Sequence, residues 1–144
     1  MPHYTGSVDT PRSVEEAFDY MKDFSNVSDW DPSIEVAEQV TPGEIAVGTE
    51  FRIVVTTAGS EQEIRYIVTE IEAPRRIKVR GENEHLVSVD EVRVEPDGAG
   101  SKVTYDAELE LKGARKLAHP LVSVGFKRNS DQARSGLAEQ LGGS

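Results

Sequence analysis

A strict alternation of apolar and polar residues between positions 103 and 111 constrains the fold of this chain most. Val103, Tyr105, Ala107, Leu109 and Leu111 share one parity, and charged or hydroxyl-bearing residues occupy the positions between them. Successive side chains of a β-strand point to opposite faces, so this segment predicts a strand with one buried face and one solvated face. The sequence therefore predicts an antiparallel sheet whose apolar face is covered by other parts of the chain.

Six further segments have the same strand-like character and are separated by turn-forming residues. The pattern predicts strands near residues 3–9, 34–40, 51–55, 64–68, 77–81 and 87–94. The clearest turn signal is Pro96-Asp97-Gly98, directly before the last strand, and a second hairpin is expected at Ala58-Gly59-Ser60.

In the predicted strand near residues 87–94, the apolar residues change from one face of the strand to the other. Val87 and Val89 lie on one parity, whereas Val92 and Val94 lie on the other. A β-bulge at Asp90-Glu91 would bring all four valines to one face, because a bulge adds one residue to a strand. We therefore predict a bulge there, which most simply helps the sheet to curve.

Two helical segments precede the second strand. Ser13 is placed to cap a helix, and Glu16 completes the spacing of a capping box. The apolar stripe of this first helix consists of Val14, Ala17, Phe18 and Met21. A second, short helix is predicted from Val27 to Trp30, ending before Pro32.

The last part of the chain, from Gly113 to Leu141, has helical periodicity, with Pro120 at a kink or at a fresh helix start. Small residues, including Gly125 and Gly136, dominate the middle of one face. Two interpretations stay open: the small residues leave room beneath the sheet, or they allow close contact between helix and sheet.

Composition excludes several classes of function. The net charge of −10 argues against binding to nucleic acid or to anionic membrane surfaces. The absence of cysteine excludes disulfides and thiolate metal sites, and the three histidines are too dispersed to predict a metal or cofactor. We see neither a signal peptide nor an apolar stretch long enough to span a membrane, so we expect a soluble cytoplasmic protein.

The chain resembles the polyketide cyclase/dehydrase family of the START-like (SRPBCC) superfamily. The resemblance is carried by Val14–Tyr20, Asp23–Asn26 and Trp30–Ser33, and by turn motifs at residues 73–76 and 97–103. It implies one domain over residues 1–144 with the α+β helix-grip fold. In that fold a curved seven-stranded antiparallel sheet wraps around a long C-terminal helix, and two short helices lie between strands 1 and 2.

The resemblance also implies a deep, mostly apolar cavity between the sheet and the last helix, of roughly a few hundred Å³. The candidate ligand-binding residues are Phe24, Trp30, Phe51, Ile53, Val55, Tyr66, Val68, Tyr105, Ala107, Val122, Phe126 and Asn129. Among them Trp30, Tyr66, Tyr105 and Asn129 add directional polar groups to an apolar lining.

The sequence contains no recognisable catalytic motif, so whether the protein is an enzyme stays open. A cyclase would need one or two groups for proton transfer, and the candidates are Tyr66, Tyr105, His85, Asp90, Glu91 and Arg93. With the predicted bulge, Asp90, Glu91 and Arg93 would all face solvent. His85 is expected to be exposed in a turn.

Three functions are compatible with the sequence. The first is binding or transport of a small hydrophobic ligand, such as a lipid, an isoprenoid or a polyketide-like aromatic, by a monomer or homodimer without a cofactor. The alternatives are a polyketide aromatase/cyclase and a protein-interaction module resembling a co-chaperone. The charged exposed positions of the last strand, including Glu108 and Glu110, argue against the interaction module.

Overall fold

Seven antiparallel strands form one sheet. The computed structural model describes residues 3–57, 60–112 and 131–142. The strands are β1 (His3–Thr10), β2 (Ile34–Gln39), β3 (Glu50–Thr57), β4 (Ser60–Glu72), β5 (Arg76–Glu82), β6 (Leu86–Asp97) and β7 (Gly100–Leu111). Their order across the sheet is β1-β7-β6-β5-β4-β3-β2. The first two strands of the chain therefore lie at opposite edges, and the prediction of a curved seven-stranded sheet is confirmed.

Short helices connect β1 to β2, as predicted. Helix α1 (Val14–Lys22) is followed by a 3-10 helix (Phe24–Asn26) and by α2 (Val27–Trp30). The backbone N–H of Glu16 donates to Ser13 Oγ at 3.2 Å, and Ser13 Oγ donates to Glu16 Oε1 at 3.1 Å. Ser13 thus satisfies one of the free N–H groups at the start of α1, which confirms its predicted capping role.

The core lies between the concave face of the sheet and these helices. Helix α1 buries Ala17, Phe18 and Met21, the positions that the helical spacing indicates. On β7 the alternation is confirmed: Val103, Ala107 and Leu111 are buried, and Glu108 and Glu110 are exposed. The period-two pattern therefore identifies the buried face correctly.

The predicted bulge at Asp90-Glu91 is wrong. Strand β6 pairs without any shift of register with β5 and with β7. Ser88 and Asp90 consequently point to the buried face, while Val87 and Val89 are only half buried on the other face. Hydrogen bonds to Asp90 make this arrangement possible, because a carboxyl group can occupy a core position only when its oxygens have partners.

Register shifts occur elsewhere in the sheet. One lies between Ile34 and Val36 in the pairing of β2 with β3, and another lies between Val68 and Glu70 in the pairing of β4 with β5. Such irregularities bend a strand and increase its local twist. The sheet is therefore bent at these two positions and not at the bulge that the sequence predicted in β6.

Residues 131–141 form a helix, α3, which buries Ala133, Leu137 and Leu141. A Cβ atom added to Gly136 would lie 2.1 Å from the carbonyl oxygen of Trp30. At this position the small residue therefore allows close contact, and its partner is the end of α2. Gly125 and Pro120 lie outside the described residues. No helix within the described ranges is both long and apolar enough to cross a bilayer.

Replacement of Gly136 by alanine should destabilise the protein. Alanine in the interior of a helix normally stabilises it by about 1 kcal/mol relative to glycine. Here the added methyl group meets backbone atoms that cannot rotate away. We expect a net loss of about 1–3 kcal/mol, measured by chemical denaturation. The exposed Ser135→Ala on the same helix is the control and should be neutral or slightly stabilising. A stabilised Gly136→Ala protein would contradict the close contact.

Candidate functional site

A mostly apolar cavity opens between the concave face of the sheet, α2 and α3, with a volume of about 160 Å³. This is smaller than the few hundred Å³ that we expected, but a cavity of about 150 Å³ in a protein interior can hold benzene. The cavity therefore provides room for about one aromatic ring. Of the predicted ligand-binding residues, those that line it are Phe24, Trp30, Ile53, Val55, Tyr66, Tyr105 and Ala107.

A polar cluster projects into this cavity from β6 and β7. Asp90 is 5 % exposed. Ser88 Oγ donates to Asp90 Oδ1 at 3.0 Å, and the hydroxyl group of Tyr105 donates to Asp90 Oδ2. Both carboxylate oxygens thus have a donor from the protein. Since a carboxylate offers about four lone-pair positions, Asp90 keeps the capacity to accept hydrogen bonds from a ligand.

The sheet positions these groups by strand register. Ser88 and Asp90 are two residues apart on β6 and so point to the same face. Asp90 pairs with Ala107, and Val92 pairs with Tyr105 on the neighbouring strand. Tyr105 is therefore the diagonal neighbour of Asp90, a separation that a long aromatic side chain can span.

Aromatic rings surround the cluster. The Trp30 ring lies edge-on to the Tyr105 ring, with 5.5 Å between the centroids. The Phe24 ring lies 5.0 Å from that of Tyr66 and 6.0 Å from that of Phe51. The contact between Trp30 and Tyr105 restricts both rings at the place where the polar cluster reaches the cavity.

Burial changes the acidity of the cluster. It raises the pKa of Asp90 to about 6, although the hydrogen bonds from Tyr105 and Ser88 oppose the shift. Burial, together with the charge of Asp90, raises the pKa values of Tyr66 and Tyr105 well above the ordinary value of 10.0. At neutral pH the two phenols are therefore neutral donors, and Asp90 is a mainly ionised acceptor that can be protonated by modest acidification.

A second carboxyl group lines the same cavity. Asp31 follows α2, and its Oδ1 accepts hydrogen bonds from the backbone N–H and the hydroxyl group of Ser33, at 2.9 and 2.7 Å. Burial raises the pKa of Asp31, and the hydrogen bonds from Ser33 oppose the shift. The negative charge of Asp31 in turn contributes to the raised pKa of Asp90.

Sequence reasoning missed Ser88 and Asp31 as site residues. A signal for Ser88 was present, because Leu86, Ser88 and Asp90 share the parity of the buried residues further along β6. The assumed bulge concealed it. For Asp31 the sequence shows only a turn residue before a proline, and its place in the cavity depends on how α2 packs.

Three of the candidate catalytic residues lie away from the cavity. His85 is partly exposed beside Glu84, with 3.2 Å between Nε2 and the carboxylate. Glu91 and Arg93, neighbours of Asp90 in sequence, are on the opposite face of the sheet, where Glu91 bonds to the guanidinium groups of Arg76 and Arg93. The structure thus separates these three from the other catalytic candidates, Tyr66, Tyr105 and Asp90.

The remaining predicted ligand contacts are in two groups. Phe51 and Val68 are fully buried in the core and are not part of the cavity lining. Val122, Phe126 and Asn129 lie outside the described residues. Within the described ranges, no cluster of three or more histidine or acidic side chains is arranged to hold a metal ion.

Comparison with known proteins identifies the family. The model of the family described as polyketide cyclase/dehydrase and lipid transport matches residues 1–142. The chain belongs to this family. No curated protein matches this chain in sequence.

Solved structures share the fold of this protein. This protein is similar to TTHA0849 from Thermus thermophilus, with 19 % identity, a TM-score of 0.81 and 97 % of each chain covered. It is also similar to a START superfamily protein from Mycobacterium smegmatis, with 16 % identity, a TM-score of 0.77 and 96 % of each chain covered. An aromatase/cyclase, ZhuI from Streptomyces sp. R1128, has 15 % identity and a TM-score of 0.80, with 96 % of this chain and 92 % of that chain covered. At these identities the similarity establishes the helix-grip fold.

The buried carboxyl group predicts a specific pH dependence of stability. The folded-state pKa of Asp90, about 6, is above its ordinary value of 3.8, so the folded protein binds more protons than the unfolded chain between these values. Asp90 therefore reduces the free energy of unfolding progressively as the pH rises from about 4 to about 6, by about 3 kcal/mol in total.

Asp90→Asn should remove this effect while keeping the shape of the side chain. The measurement is the free energy of unfolding, obtained by urea denaturation from pH 4 to pH 7. We expect the value of the variant minus that of the wild type to rise by about 3 kcal/mol over this range. Glu108→Gln, an exposed position on β7, is the matched control and should show no such trend. A pH-independent difference between Asp90→Asn and the wild type would contradict the raised pKa.

Proposed function

We propose that this protein binds a small, mainly hydrophobic molecule that carries a hydrogen-bond donor. The observation that carries the proposal is the position of Asp90, an acceptor with unused capacity in an otherwise mostly apolar cavity. Ligand sites of small molecules commonly combine an apolar lining with a few polar groups that set orientation. Apolar parts of the ligand would contact aliphatic side chains such as Ile53 and Leu137, and its donor group would face Asp90.

The family description and the superfamily of the solved structures support this proposal. The description includes lipid transport, and one neighbour is described as a START superfamily protein. The size of the cavity favours a ligand, or a part of a ligand, no larger than about one aromatic ring.

Trp30 makes the proposal testable without a label, because it is the only tryptophan and it lines the cavity. p-Cresol and toluene, which differ in one hydroxyl group, are suitable probes. We expect both to change Trp30 emission saturably. We expect p-cresol to bind about 10–150-fold more tightly than toluene, as a hydrogen bond to a charged acceptor contributes about 1.5–3 kcal/mol.

A cavity-filling variant provides the control. Ala107→Phe places a phenyl group where the ligand would lie and should abolish the response to both probes, while circular dichroism reports an intact fold. Glu108→Gln, on the opposite face of the same strand, should bind both probes like the wild type. The absence of a saturable response of the wild-type protein to either probe would refute the proposal.

A second candidate function is a polyketide cyclase, favoured by the contact of Asp90 with Tyr105 and by the pKa of about 6. A carboxylate with this pKa suits a general base at neutral pH. Asp90 would take a proton from a methylene group between two carbonyl groups, and the resulting enolate would attack the carbon of a third carbonyl group further along the chain. The protonated Asp90 would then return the proton to the alkoxide that this attack forms. The neutral phenol of Tyr105 or Tyr66 would donate a hydrogen bond to the oxygen that becomes negative.

Kinetics with a poly-β-carbonyl thioester analogue would test this candidate. We expect kcat/KM to rise as the pH increases through about 6, and Asp90→Asn to lower it by about 10²–10⁴-fold, the usual contribution of a general base. Glu108→Gln should keep the wild-type rate. Equal rates for the wild type, Asp90→Asn and the uncatalysed reaction would exclude the cyclase and leave the binding function intact.

A further inference from the structure

We propose that the ligand of this cavity is a small organic amine, bound as its ammonium ion between the carboxyl groups of Asp90 and Asp31 and the aromatic rings beside them. The inference rests on the proposed binding function and adds the chemical class of the ligand. It is argued from the charges and rings that line the cavity.

Among the described residues, the lining of the cavity has an excess of acidic groups. Its charged lining residues within the described part of the chain are Asp31, Asp90 and Arg134. Arg134 Nε donates to the carbonyl oxygen of Ser7 at 2.9 Å, so part of its guanidinium group is already bonded. Of the described side chains, a carboxylate ligand would therefore meet two carboxyl groups and one partly engaged cation, whereas an ammonium ion would be attracted by both acids.

The two carboxyl groups share neighbours. Tyr105 donates a hydrogen bond to Asp90 and packs against Trp30, which directly precedes Asp31 in the chain. Both acids also raise the pKa of Tyr66. Asp31 and Asp90 therefore belong to one site.

Acceptor capacity matches the donors of an ammonium group. Each oxygen of Asp90 receives one donor, Ser88 or Tyr105, and has a second lone pair. Both hydrogen bonds of Asp31 within the described residues go to Oδ1, and Oδ2 has none there. An ammonium ion has three N–H donors, more than a hydroxyl group, and could bond to both acids at once.

The rings that surround the site also favour a cation. Trp30, Tyr66 and Tyr105 all line the cavity. Cations are attracted to the faces of such rings, most strongly to tryptophan, and the attraction is greatest where water is excluded. A neutral alcohol gains little from this interaction. Carboxyl groups and aromatic rings together therefore select for an organic ammonium ion with an apolar body.

Three ligands of similar size separate the possibilities: benzylammonium, benzyl alcohol and benzoate. Isothermal titration calorimetry of the wild-type protein at pH 7.5 is the measurement. We expect benzylammonium to bind at least tenfold more tightly than benzyl alcohol, and benzoate to show no saturable heat. Binding of benzyl alcohol as tight as that of benzylammonium, or tighter, would overturn the amine inference and leave the proposed binding function standing. Tighter binding of benzoate, which has no hydrogen-bond donor, would overturn both the amine inference and the proposed donor to Asp90. Binding of none of the three would refute the amine inference and the proposed binding function.

Variants test whether the two acids are responsible. Asp90→Asn and Asp31→Asn should each weaken benzylammonium binding at least tenfold, and Asp31→Asn should change benzyl alcohol binding less than threefold. Glu108→Gln removes one negative charge from the opposite face of the sheet and should leave both affinities unchanged. Equal losses in all three variants would overturn the inference, because the selectivity would then come from net charge. Unchanged benzylammonium affinity in both Asp variants would overturn it as well.

Discussion

The carboxyl group of Asp90 lies on the concave face of the sheet, where water is largely excluded, and its charge depends on a few hydrogen bonds. The donors are Ser88 on the same strand and Tyr105 on the next. Tyr105 is itself packed edge-on against Trp30, whose carbonyl group lies directly against Gly136 of α3. The close approach of α3 to α2 thus supports Trp30, Trp30 restricts Tyr105, and Tyr105 holds Asp90. Scaffold and site are one continuous set of contacts.

The two faces of the sheet have different electrostatic characters. On the outer face, arginine side chains bridge acidic neighbours, as Arg76 does with Glu70 and Glu91. These exposed pairs contribute little individually to stability because water screens them. On the inner face, Asp90 has no such cation beside it within the described residues and relies on hydroxyl donors. The hydrogen bond from Arg76 lowers the pKa of Glu70 on the outer face, whereas burial raises the pKa of Asp90 on the inner face.

Much of the fold was predictable because it depends on local periodicity. The alternation from Val103 to Leu111 identified the buried face of β7, and Ser13 with Glu16 located the start of α1. The motif around Trp30 indicated the family, and the family model confirms it. Each of these features is encoded within a few neighbouring residues.

The site was less predictable because it depends on pairing between distant segments. In β6 the valines lie on both parities, so hydrophobicity alone favoured a bulge that would have turned Asp90 outward. The alternative becomes favourable only when Tyr105, on the next strand, supplies a donor. Asp31 shows the same limitation, since its position in the cavity is set by the packing of α2 against the sheet.

The central claim is that Asp90 is a buried, hydrogen-bonded carboxyl group that faces a ligand cavity. A titration of its side-chain ¹³C carboxyl resonance by nuclear magnetic resonance tests this directly, without and with saturating benzylammonium. The account predicts a pKa of about 6 in the free protein and a lower value in the presence of the ammonium ion, which stabilises the charged form. A pKa near 3.8 that the ligand does not change would contradict it.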